Sequence, residues 1–290
     1  MMNRRDVLSF AAGAATSLLP SAIRADDSGE SSDFRVVDTN VSLFRWPFRR
    51  LPLDDAETLV RKFRLLGINQ AWAGSFEGIL HRDIASVNRR LVEACQQWPE
   101  LIPIGSVNPE LPDWEADLRR CWQDHNMPGI RLHPNYHGYS LNDPCFERLL
   151  ELATSADRFV QIAAAVEDTR TQHPKLQVPE VDLAPLADVV RRVPGSRVQI
   201  LNCRPRGAVL DQLSKTPGVF LDTARVDGTD GVPLLVKALP DGRVLFGSHS
   251  PFLIPEAALI RVHESGQLDK PTLSAVYSGN ADNVFGKGRA

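Results

Sequence analysis

Along most of this chain, short apolar runs rich in β-branched residues alternate with longer amphipathic stretches. The runs are Phe34–Ser42, Ile68–Phe76, Leu101–Asn108, Gly129–Pro134, Phe159–Ala165, Arg197–Cys203, Val219–Thr223 and Val244–Pro251. They lack the regular alternation of a sheet with one wet face, so they predict strands covered on both sides. Between them the apolar positions switch to helical spacing. Ala56, Leu59, Val60 and Phe63 mark Ala56–Leu66, and Val87, Leu91, Val92 and Cys95 mark Ile84–Trp98. Trp114–Asp124, Cys145–Ala156, Leu183–Val193 and Gly207–Lys215 continue the series, and Gly67, Pro99, Pro128, Pro194 and Pro217 punctuate the returns to strand. Eight strand–helix alternations over about 250 residues predict an α/β fold, a (β/α)8 TIM barrel forming one domain over 34–290. A doubly wound open sheet would use fewer strands and often a glycine-rich phosphate loop, and no such loop is found.

Composition adds limits. Of 290 residues, 43% are hydrophobic and 24% charged, enough for one large core. A formal net charge of -3 gives no reason to expect nucleic acid as a partner. At the N-terminus, Arg4 and Arg5 precede an apolar run, Val7 to Leu19, followed by Pro20, Ser21, Ala22 and Ala25. That layout predicts a twin-arginine export signal over 1–25, a polar linker over 26–33, and a periplasmic or extracytoplasmic location. The apolar run is too short to span a bilayer, so no transmembrane domain is expected. Cys95, Cys121, Cys145 and Cys203 form no CxxC pair and read as buried thiols rather than a zinc knuckle.

In a TIM barrel the reactive side chains stand at the C-terminal ends of the strands. That rule selects Asp38, Asn40 and Ser42; Ser75 and Glu77; Asn108; Arg131 and His133, with Tyr136 and His137 beyond; Glu167 and Asp168; Asn202, Cys203 and Arg204; Asp222; and Ser248, His249 and Ser250. Trp46 and Arg49 follow the first run as an aromatic–arginine cluster able to stack on a substrate and clamp an anion, and His81 follows the second.

Four segments resemble the amidohydrolase-related superfamily, in its branch of small-acid decarboxylases and lactonases. Val36-Val37-Asp38-Thr39-Asn40-Val41-Ser42 resembles the opening Asp-Thr-His-x-His strand, and Gly129-Ile130-Arg131-Leu132-His133-Pro134 the fourth-strand Gly-Ile-Lys-Leu-His-Pro. Leu245-Phe246-Gly247-Ser248-His249-Ser250-Pro251 resembles the eighth-strand Phe-Gly-Ser-Asp-x-Pro, and the tail with Ser278-Gly279-Asn280-Ala281 and Val284-Phe285-Gly286 resembles the closing helix. The resemblance implies a divalent metal held by two first-strand histidines, a histidine on each of the fifth and sixth strands, and an eighth-strand aspartate. Those positions are here Asn40, Ser42, Ala163, Asn202 and His249. Without imidazole at four of them the usual metal site is expected to be absent, and no cofactor is expected.

Three readings follow. The first is a metal-independent hydrolase of a small ester or lactone, derived from a carboxylate or a sugar. In it His249 is the general base, Arg131 polarises the carbonyl or holds a carboxylate, and Asp38 orients a histidine or acts as base. His133, Asn40, Trp46, Arg49, His81 and Asn202 bind the substrate. The second is a non-catalytic ligand-binding barrel. The third keeps a divalent ion such as zinc on relocated ligands, His133, His249 and Asp38, for hydrolysis or decarboxylation. In each the partner is a small molecule, and the resemblance further implies a homodimer.

Overall fold

The computed structural model describes residues 34–264 and 266–285. The export-signal and linker readings, on 1–33, lie outside the described residues. The strands are β1 (Val36–Leu43), β2 (Ile68–Ser75), β3 (Leu101–Pro103), β4 (Gly105–Ser106), β5 (Gly129–Leu132), β6 (Phe159–Ala163), β7 (Val198–Leu201), β8 (Val219–Asp222) and β9 (Val244–Leu245). Every neighbouring pair is parallel, in the orders β1-β2-β3 and β4-β5-β6-β7-β8-β9. The third apolar run thus appears as two pieces, because Pro103 has no N–H to donate. The ladder resumes one residue later, where the Ile104 N–H donates to Ala73 O at 2.9 Å, so β3 and β4 form one barrel strand. Closure is made by Thr39 N–H to Phe246 O and Ser42 N–H to Ser250 O, both 2.9 Å, with a parallel bridge between Val41 and Ser250. The result is the expected eight-stranded TIM barrel.

The helices pack their apolar stripes on this barrel. The helix Ala56–Leu65 buries Leu59, Val60 and Phe63 and is capped by Asp55, whose carboxylate accepts from Thr58 N–H. Two further helices are Gly231–Ala238 and Pro255–His263. Each leaves an apolar residue on its wet face, Leu234 and Ile260 respectively, which blurs the polar stripe. Among the described residues no helix is long and apolar enough to cross a membrane. All four cysteines are free thiols, and Cys95, Cys121 and Cys203 are buried.

Inside the barrel the early residues of the strands form an apolar plug of Val37, Trp72, Ile104, Phe159, Phe220 and Leu245, closed from below by Val284. Polar side chains begin one layer higher. The two levels are held apart by a shift in register on β1 between Asp38 and Val41, which breaks the simple alternation of that strand.

Gly218, just before β8, has φ +78°, and a Cβ there would lie 2.2 Å from Ser196 O. Both the left-handed backbone and the close approach require glycine. Gly218→Ala is expected to destabilise the fold by about 2–3 kcal/mol, read as a lower urea midpoint at unchanged slope. An unchanged midpoint would show that the Ser196 segment moves freely.

Candidate active site

The first polar layer is built around Arg131 of β5. Its Nε donates to Gln161 Oε1 at 2.9 Å, Nη1 to Val41 O at 2.8 Å and Ser42 Oγ at 3.2 Å, and Nη2 to Trp72 O at 3.2 Å. Gly74 makes room for it, since a Cβ there would come within 2.7 Å of Nη1. Gln161 in turn donates to Thr39 O and Gln199 Oε1, each 2.8 Å, and Gln199 donates to Thr39 Oγ1 at 2.7 Å. The guanidinium is therefore occupied by the barrel's own acceptors. Burial lowers its pKa to about 10, against the pull of Asp222 and Asp38. Arg131, expected to meet a substrate, here turns its donors to the protein and places a positive charge near the buried carboxylates.

Two carboxylates lie above it. Asp38 Oδ1 accepts from the backbone N–H groups of Asn40 and Ser248, at 3.1 and 2.9 Å, while its Oδ2 has no partner. Asp222, at the end of β8, accepts from Asn202 N–H at 3.1 Å through Oδ1 and from Asn40 Nδ2 at 2.6 Å through Oδ2. Asn40 Nδ2 also donates to Asn202 Oδ1 at 2.8 Å, and Asn202 Nδ2 to Ala165 O at 2.8 Å. Asn40 thus joins the first strand to Asp222, 182 residues away in sequence. Asp38 and Asp222 are fully buried. Desolvation pushes Asp38 up to about 6 and Asp222 up to about 7, the latter helped by the charge of Asp38. Asp222 therefore keeps a proton for a substantial fraction of the time near neutrality.

Three histidines at the barrel mouth have their pKa lowered by burial. His249 sits at φ +58° and bonds through Nε2 to Val166 O at 2.7 Å. A carbonyl only accepts, so Nε2 carries the hydrogen. The ring stacks on Phe252, and burial lowers its pKa to about 3. The property that singled it out as general base, a pKa near neutrality, is therefore removed by its surroundings. His133 is buried with Nδ1 unpartnered and is pushed well below its ordinary pKa. Beside it His137 bonds through Nε2 to Gly78 O at 3.1 Å and is lowered to about 4.

These histidines make a signed pH prediction. Folded pKa values below the unfolded value of about 6.5 mean that their contribution is present above pH 6.5 and is lost as pH falls toward 4 and 3. The raised carboxylates act oppositely over an overlapping range, so a difference is the useful measurement. His249→Asn removes one titrating ring and suits the positive φ. Its melting temperature should fall less than that of the wild-type chain between pH 7 and 4. Parallel curves would show that His249 is already charged in the folded state.

Aromatic side chains close the mouth. Trp46 is buried and packs against Phe48, Phe76, Tyr136 and Phe252, with centroids 5.3, 5.5, 6.3 and 5.3 Å away. Arg49 pairs with the buried Glu167 at 2.8 Å and lies over Phe252 at 5.5 Å. Asp38, Arg131, Asn40, Asn202, His133, His249, Trp46 and Arg49 thus gather at one end of the barrel. His81 does not join them. It is exposed and lines an outer cavity of about 480 Å3 with Arg45, Asp54, Asp55 and Glu77. Asp222 was marked by its place at a strand end, the same signal that marked Asp38, but stood in no recognisable motif. Gln161 and Gln199 lie within their strands, and no sequence signal set them apart.

The family model described as amidohydrolase matches residues 48–287. The chain belongs to the amidohydrolase family. A search of curated protein sequences gave no match. Solved structures with the same barrel include 5-carboxyvanillate decarboxylase from Novosphingobium aromaticivorans, with bound manganese and a nitrobenzoic acid. It has a TM-score of 0.70 and 16% identity, covering 89% of this chain and 98% of that one. 2,6-Dihydroxybenzoate decarboxylase from Rhizobium has a TM-score of 0.68 and 14% identity, covering 87% and 98%. Dihydroxybenzoic acid decarboxylase from Polaromonas, with manganese and 2-nitroresorcinol, has a TM-score of 0.68 and 13% identity, covering 89% and 98%.

One expectation is corrected by these structures. The expectation of no cofactor is overturned, since solved barrels of this fold carry manganese. The side chains present restrict how an ion could be held. Among the described residues no three His, Cys, Asp or Glu groups are arranged around a common point, and Asn40 and Ser42 occupy the places of the family's first histidine pair. His133 Nδ1 and Asp38 Oδ2 are both buried without a hydrogen-bond partner, and the latter is a carboxylate oxygen. Such a donor fits a hard ion such as manganese or magnesium, which takes one or two carboxylates and fills its shell with water and substrate.

Proposed function

We propose that this amidohydrolase-family barrel is a decarboxylase of a small, flat carboxylic acid, with Asp222 as the proton donor. The observation that carries the reading is the buried Asp38–Asp222 pair, in which desolvation pushes Asp222 up to about 7. Loss of CO2 breaks a carbon–carbon bond and leaves its electron pair on the substrate carbon, which must then gain a proton. A carboxylic acid with its pKa near neutrality suits that step, since it is both protonated and able to give the proton up. Asp38 would hold the divalent ion, which supplies positive charge for the substrate carboxylate. Arg131 keeps Asp38 ionisable from below without touching the substrate, and Asn40 and the Asn202 N–H hold Asp222 in place. The aromatic mouth offers Trp46, Tyr136 and Phe252 as faces for a planar ring.

The test is CO2 release from a panel of hydroxybenzoates by the chain purified with manganese. Release that depends on added manganese supports the reading. A second reading, a binding barrel without catalysis, draws on that aromatic closure. It predicts no CO2 from any member of the panel, together with saturable quenching of tryptophan fluorescence by the same acids, and that pair of results would sink the decarboxylase.

A further inference from the structure

A groove on the same face of the barrel, outside the carboxylate pair, carries chemistry that the proposed reaction does not use. It is a cavity of about 230 Å3 between the segments that follow β7 and β8, lined by Arg204, Arg206, Arg225 and Asp227 among others. Leu210 and Leu234 supply an apolar wall, and Leu234 is 63% exposed. Three guanidinium groups thus face one carboxylate in the lining. Asp227 is already shared, paired with Arg204 and 3.8 Å from Arg261. Arg225 reaches only Asp168 at 3.8 Å and Glu180 at 3.5 Å, both long for ion pairs. Arg206 has neither an ion pair nor a hydrogen bond among the described residues.

The backbone adds to this charge. The helix Gly207–Ser214 begins directly after Arg206, and the helix Gly231–Ala238 begins at Gly231, itself part of the lining. Neither N-cap residue makes a side-chain cap. Both helices therefore turn the positive ends of their dipoles to this side of the barrel, although in the second the Gly231 N–H already donates to Gly228 O at 3.0 Å and Pro233 has no N–H. Arginines and uncapped helix starts favour an anion, and the leucine wall favours carbon beside it.

We propose that this groove binds a small amphipathic anion, with its carboxylate or phosphate head among Arg204, Arg206 and Arg225 and its apolar tail on Leu210 and Leu234. At roughly 30 Å3 per water-sized atom, the cavity admits about eight non-hydrogen atoms, the head and first carbons of a chain whose remainder lies along the exposed Leu234. The test is isothermal titration of the full chain with octanoate, octyl phosphate and inorganic phosphate. The octyl ligands are expected to saturate, and inorganic phosphate to bind more weakly. Arg206→Glu should weaken both octyl ligands by about tenfold or more, and Leu234→Ser should weaken them while leaving phosphate unchanged. Both residues are exposed and away from the core, so an unchanged urea midpoint checks that the variants fold. Tighter octyl phosphate identifies a phosphate monoester, and tighter octanoate a carboxylate. No saturation by any probe at millimolar concentration, affinity unmoved by Arg206→Glu, or phosphate binding as tightly as octyl phosphate would overturn the proposal. No turnover is involved, so this result and the decarboxylase test fail or succeed separately.

Discussion

Asp222→Asn is expected to lower the rate of CO2 release by about 100- to 10,000-fold, mostly in kcat. Asparagine keeps the shape of the side chain and can still accept from Asn202 N–H or Asn40, but it has no acidic proton to deliver. The fold should survive, because a buried ionisable group is replaced by a neutral one. The wild-type rate should itself fall as pH rises through about 7, where Asp222 loses its proton. The companion change Asp38→Asn should act differently, raising the manganese concentration needed for activity. Full turnover by Asp222→Asn, measured on a substrate that the wild-type chain decarboxylates, would remove Asp222 from the chemistry.

Arg131→Met is expected to destabilise the protein by about 3–5 kcal/mol in urea unfolding. The substitution strands Gln161 Oε1, Val41 O and Trp72 O, each of which now accepts from the guanidinium. It also removes the positive charge that opposes Asp38 and Asp222, so both carboxylates should shift further toward their protonated forms. Adding Asp38→Asn to Arg131→Met should recover part of the loss, since the second change deletes a buried charge left without its counterpart. Arg131→Lys should still be destabilising, because a single ammonium cannot serve four acceptors spread over the planar fork. A loss below about 1 kcal/mol for Arg131→Met would show that water takes over these contacts.

The chain's alternating pattern was sufficient for the barrel itself. Parallel strands covered on both faces require continuous apolar runs, and these runs stood out at Ile68–Phe76 and Phe159–Ala165 without any reference to partners. The rule that strand ends carry chemistry then brought Asp38, Asn40, Arg131, Asn202 and His249 to one face, and the order of motifs pointed to the amidohydrolase family. Manganese in solved barrels of the same fold, rather than any motif of this chain, is what points to a divalent ion.

Charge state and contact could not be read that way, because both depend on residues distant in sequence. Arg131 looked free to meet a substrate until β1, β2 and β6 closed around it and consumed its donors. His249 looked like a base until Val166 and Phe252 enclosed it and desolvation made its charged form unfavourable. Asp222 stood in no motif at all. Burial at the barrel mouth and the charge of Asp38 raised it, against the hydrogen bond from Asn40 182 residues earlier, to a pKa at which a carboxylic acid can still give a proton near neutrality. Local pattern decides which backbone forms, since hydrogen bonding and apolar periodicity are short-ranged. The dielectric around a charge is set by everything packed against it, and only the folded barrel determines that.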